Sequence, residues 1–185
     1  MIRGGAVDRS TTPAAVAIAI IAIVLAGCAT TRDEPAVTFP PATFGAGVST
    51  SATDTTRRTI EGTLAGIGLT AAVAQSPFRP GESPRFTDAP RIVLDVALPG
   101  SEVVVPISIY EFTNEDAAVA AGDEQARYVA SPVGRVQFAP GTQFVIRHEG
   151  RTVVFYAWLP AEDVPGTAEI ATALAAIGVE IEVPG

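Results

Sequence analysis

The chain has 185 residues, 48% of them hydrophobic, and its 12 basic side chains against 20 acidic ones give a formal charge of −8. That length suits one domain, and the acidic balance excludes nucleic acid and anionic lipid surfaces as main partners, because both reward clustered cations. One histidine and one cysteine are too few for the usual zinc sites.

Arg3 and Arg9 precede an uncharged apolar run over 13–26 that contains Ile18, Ile20, Ile21, Ile23, Val24 and Leu25. The run is shorter than the roughly 20 residues a spanning helix needs, and polar residues follow from Thr30 to Glu34. A charged start, an apolar middle and a small-residue end form a signal peptide. Its last residues, Leu25-Ala26-Gly27-Cys28, resemble the lipobox of bacterial lipoprotein precursors: a large aliphatic residue, two small ones, then the cysteine that carries the lipid. The resemblance implies removal of residues 1–27, lipid on Cys28 and an extracytoplasmic chain held on the cell membrane or the outer membrane. Acyl chains anchor through methylenes worth about 0.8 kcal/mol each, so two or three hold stably. Cys28 would then be unavailable for a disulfide, a metal or nucleophilic chemistry.

Residues 28–55 carry Pro35, Pro40, Pro41, Gly45, Gly47 and a serine- and threonine-rich run, with no apolar period. They read as a linker, in which Phe39 and Phe44 either pack on the domain or stay solvated. The remainder, 56–185, reads as one folded domain. Thr55 or Thr56 can cap a helix with Ile60, Leu64 and Ile67 on one stripe, and 69–74 can form a short strand. The stretch 75–90 holds four prolines and Gly81, so it is expected to be a surface loop pinned by Phe78 and Phe86.

Alternation of period 2 predicts strands over 91–98 and 103–110, joined at Pro99-Gly100-Ser101-Glu102. Pro106 lacks a ladder donor, which places it at an edge or a bulge. Thr113 or Asn114 caps an alanine-rich helix running to about Ala130, after which 131–141 is irregular, with a short strand at 135–138 as one option. A turn at Glu149-Gly150 would set Phe144, Ile146 and His148 opposite Phe155, Val153 and Arg151 in a second hairpin. Thr167 caps a last helix carrying Ile170, Leu174 and Ile177, with Gly178 as its stop, and a short extension follows from Val179 to Val183, with a strand as one option. The expected fold is therefore α+β, in the order α-β-β-α-β-β-α, with an antiparallel sheet of about four strands and about three helices on one face.

Over 59–181 the chain resembles a family of small uncharacterised bacterial lipoproteins with this element order. The matching stretches are Gln75-Ser76-Pro77-Phe78, Ile107-Ser108-Ile109-Tyr110-Glu111-Phe112 ahead of the alanine-rich helix, the hairpin 143–156 with Gly150-Arg151 at its turn, and Leu174-Ala175-Ala176-Ile177-Gly178. No activity transfers from that resemblance.

No Gly-x-Ser-x-Gly elbow, phosphate-binding glycine loop or calcium loop occurs. Acidic pairs such as Glu115-Asp116, Asp123-Glu124 and Glu162-Asp163 read as helix caps and solvated faces. Two constellations point to binding. Val145, Val154, Tyr156 and Trp158 would form an apolar patch if helices cover only the other side of the sheet. Arg147, His148 and Arg151 would gather positive charge at one hairpin tip, able to contact an anion. The expectation is a non-catalytic, lipid-anchored domain that binds an envelope protein or small ligand through the sheet face or the 75–90 loop, without a cofactor or metal. An envelope hydrolase using carboxylates and a structural or assembly lipoprotein are the alternatives.

Overall fold

The computed structural model describes residues 50–75, 77–160 and 166–185. The signal segment, Cys28, Phe39, Phe44 and the Glu162-Asp163 pair lie outside the described residues. In chain order the elements are α1 (Ser51–Gly66), β1 (Thr70–Val73), α2 (Pro84–Asp88), β2 (Arg91–Ala97), β3 (Val104–Glu111), α3 (Glu115–Ala130), α4 (Pro132–Arg135), β4 (Gln143–Glu149), β5 (Thr152–Trp158), α5 (Thr167–Leu174) and β6 (Val179–Glu180). The fold is α+β. Its six strands form one antiparallel sheet in the order β1-β2-β3-β5-β4-β6.

The expected four strands become six because the short strand at 69–74 and the extension from Val179 both join the sheet, β1 beside β2 and β6 beside β4. A larger correction concerns the helices, which cover both faces of the sheet. Ile60 and Leu64 of α1 and Ile170 and Leu174 of α5 join Ile92, Leu94, Ile107, Ile109, Val154 and Tyr156 in one core. Phe86 of α2 and Ala118, Ala121, Ala126 and Val129 of α3 join Tyr110, Ile146, Val153 and Phe155 in the other. Strands apolar on both faces need a layer on each, since an uncovered face of such strands would leave large side chains in water.

Local corrections have local causes. α1 starts at Ser51, earlier than expected, because Thr50 and Thr53 form a reciprocal capping box that satisfies backbone N–H groups of the first turn. Residues 50–55 therefore belong to the domain, not to the linker. Within 75–90, the short α2 carries Phe86 to full burial, worth about 1.5–3 kcal/mol, whereas Phe78 is 60% exposed. The 131–141 stretch begins with α4 rather than a strand, as Ser131 caps it and Pro132 occupies its first position. Asn114 caps α3 by accepting from the Ala117 N–H at 2.8 Å.

The second hairpin turns at Gly150-Arg151, pairing Glu149 with Thr152 and Ile146 with Phe155. Gly150 supplies the positive φ of 52° that this turn requires. A turn at Glu149-Gly150 differs from this register by two residues, which preserves every side chain's face. In α3, a Cβ on Gly122 would lie 2.1 Å from Ile181 Cδ1, so glycine there admits Ile181, the residue after β6, against the helix.

Candidate binding cleft

β3 pairs with β2 along its whole length but with β5 only from Ser108 to Glu111. The direction of its backbone groups explains the break. Glu111 N–H bonds to Pro90 O on the β2 side, and Phe112 N–H bonds to Arg151 O on the β5 side. Alternation then points the even residues of β3 at β5. Pro106 is one of these, and it has no N–H to offer Ala157, which the register would set opposite. The ladder stops after the Ser108–Phe155 pair.

A cleft of about 300 Å³ opens there, lined by Pro106 and Ser108 of β3, Phe155, Ala157 and Trp158 of β5, Phe78, Pro80 and Gly81 of the 75–90 loop, and Gln137 and Phe138. Phe138 meets Phe144 edge-on with ring centroids 4.9 Å apart, and Phe144 stacks against Phe155 at 6.2 Å, which backs the wall with an aromatic cluster. A Cβ on Gly81 would stand 3.0 Å from the Phe138 ring, so this glycine lets the loop close onto the wall. Among the described residues no charged side chain lines the cleft. Its polar side chains are Ser108, Gln137 and Thr142.

The loop wall is held by a buried network. Glu82, whose side chain is 2% exposed, pairs with Arg79 at 2.6 Å and Arg91 at 3.1 Å and accepts from the Tyr110 hydroxyl at 2.7 Å. Arg91 also donates to Phe78 O at 3.0 Å. Gln125 of α3 accepts from Ser83 N–H at 2.7 Å and donates to Gly81 O at 2.9 Å. Burial, then the Glu82 charge, raises the Tyr110 phenol above its usual range, so it stays protonated and keeps donating.

The expected apolar patch is not an open face. Val154 and Tyr156 are fully buried under α1 and α5, and Val145 and Trp158 are half-buried against the same core. Tyr156 donates to Thr167 O at 3.1 Å; burial, then the Glu169 charge, raises its pKa. Trp158 alone of the four lines the cleft.

Nor does the structure bring Arg147, His148 and Arg151 together. Arg147 is 8% exposed on the α5 face, where it donates to Ile177 O and to Gly178 O at 3.0 Å. His148 is on the opposite face, with Nδ1 3.9 Å from Glu115 Oε1. Arg151, at the turn, pairs with Glu111 at 2.6 Å. Arg147 and Arg151 are held by partners within the fold, His148 Nδ1 is buried without a hydrogen bond, and the strand alternation that separates Arg147 from His148 prevents a common anion site.

A second cleft, about 540 Å³, holds Asp88 and Glu111 with Thr50, Arg85 and Arg151. Both Glu111 oxygens are engaged, one by Arg151 and the other by the Thr50 hydroxyl. Among the described residues no three His, Cys, Asp or Glu side chains converge as a metal site, and no helix is long and apolar enough to cross a membrane.

The Pro106 break was legible as an edge signal, but its consequence required knowing that β5, distant in sequence, lies alongside. No protein-family model, curated protein or solved structure matches this chain.

Proposed function

We propose that the chain is a lipid-anchored, extracytoplasmic binding protein of a bacterial envelope, attached through Cys28 and without catalytic activity. Its ligand is a small uncharged molecule with an aromatic or apolar body and an amide or hydroxyl group. The single observation that supports this reading is the cleft that Pro106 and Trp158 help to line. Its volume falls at the lower end of small-ligand sites, its walls are aromatic and proline side chains, and Ser108, Gln137 and Thr142 offer uncharged hydrogen-bonding groups.

Trp158 is the chain's one tryptophan and lines the cleft, so its emission reports occupancy. Titration with N-phenyl-1-naphthylamine, an uncharged aromatic amine, should give saturable energy transfer from Trp158. Phe78→Ala should weaken that binding roughly three- to tenfold, the size of one aromatic contact, and leave the urea midpoint unchanged because Phe78 is exposed. Equal affinity in the two proteins would argue against this cleft as the site.

A further inference from the structure

The two outer edges of the sheet are not alike. At β6 the chain presents Glu180, 69% exposed, and Glu182, and charge of this kind blunts an edge against pairing. At β1 the sequence is Thr70-Ala71-Ala72-Val73, and no charged residue occurs between Glu61 and Arg79. No proline interrupts the strand. Thr70, Ala72 and Val73 are exposed, Val73 by 48%.

The unpaired groups of this edge can be assigned. Ala74 N–H bonds to Val93 O, so the even residues Thr70, Ala72 and Ala74 direct their backbone at β2. The N–H and C=O of Ala71 and Val73 therefore point outward, and among the described residues nothing pairs with them.

We infer that β1 is an interface to a second copy of this chain, joined antiparallel across a twofold axis at Ala72. Among registers confined to Thr70–Ala74, this one uses both outward residues of each strand. Ala71 of one copy exchanges two hydrogen bonds with Val73 of the other, and Val73 exchanges two with Ala71. Ala72 then faces its own counterpart as a non-hydrogen-bonded pair, where small side chains allow the closest approach. The missing charge selects the occupant. Two copies of a strongly acidic chain can bring these segments together without setting like charges side by side, which the β6 edge would do.

Cross-linking tests the register directly. A non-hydrogen-bonded antiparallel pair has Cα atoms about 4.5 Å apart, within disulfide range. Ala72→Cys in the full chain should thus form a dimer under mild oxidation, with the unsubstituted chain as control for Cys28. Thr70→Cys or Ala74→Cys alone should not, being separated from their own counterparts by roughly 13 Å at about 3.4 Å per residue, but the two combined should. Val73→Pro removes an outward donor and no β2 bond, and should halve the mass measured by sedimentation while the circular dichroism spectrum persists. Equal cross-linking at 70, 72 and 74, a single-chain mass for the unsubstituted protein, or a disulfide joining the Ala72→Cys variant to a different protein would each overturn the inference.

Discussion

At the scale of single residues, roles follow from which strand face a side chain occupies, not from its neighbours in the chain. Arg147 and His148 are adjacent, yet one serves α5 and the other faces α3. Arg147 fills the place where the chain leaves α5, meeting the carbonyls of Ile177 and Gly178, and a cation at a helix C-terminus complements the dipole. Gly178 has φ 49°, and a Cβ there would fall 2.0 Å from His148 O, so the chain can pass β4 only with glycine. The two buried tyrosines carry a pH prediction. Tyr110 and Tyr156 hold their protons in the folded state more tightly than the ordinary value of 10.0. Their contribution is complete below pH 10 and declines as pH rises beyond it, because the unfolded chain then loses protons that the folded chain keeps. The chain has no lysine, which removes the group that would otherwise titrate in that range. The urea midpoint should fall between pH 9 and pH 11, with tyrosinate absorbance from these two appearing only on unfolding. A constant midpoint would contradict it.

At the scale of elements, one missing N–H decides where a central pair of strands ends. β3 lies between β2 and β5, yet its ladder to β5 stops short of Pro106. Pro106→Val would restore a donor opposite Ala157 and let the ladder extend toward Trp158. One or two added hydrogen bonds should raise stability by about 1 kcal/mol, while binding of the fluorescent amine at Trp158 should fall roughly fivefold as the proline ring leaves the cleft wall, about 1 kcal/mol of apolar contact. Urea denaturation and the Trp158 titration measure the two effects separately. A variant more stable yet undiminished in binding would show that the cleft does not depend on the strand break. The 75–90 loop acts with this element: α2 inserts Phe86, Glu82 fastens the loop to Arg91 and Tyr110, and Gly81 fits it against Phe138.

At the scale of the molecule, the described domain begins where Thr50 joins Glu111 at the C-terminal end of β3. Pro106 stands five residues back along that strand, roughly 17 Å away at about 3.4 Å per residue. On the proposed anchoring, Cys28→Ser should transfer the protein from the membrane to the soluble fraction, read by cell fractionation and by loss of the acyl mass on the N-terminal peptide. A variant that stays with the membrane would indicate attachment by another route.

Those features that depend on a few consecutive residues were present in the sequence by itself. The lipobox-like Leu25-Ala26-Gly27-Cys28, the alternation of β2 to β5, the Asn114 cap, and the stripe of Ile170, Leu174 and Ile177 all follow from local stereochemistry and period. Even the faces of the second hairpin were legible, since a register displaced by two residues leaves them unchanged. Only the tertiary structure decided what covers each face. Val154 and Tyr156 would read equally as an exposed patch or as core, because periodicity reports that a side chain is apolar and not what lies over it. The same holds for Arg147, whose carbonyl partners are thirty residues away in sequence, and for the cleft, whose walls come from β3, β5, the 75–90 loop and Phe138, segments far apart in sequence.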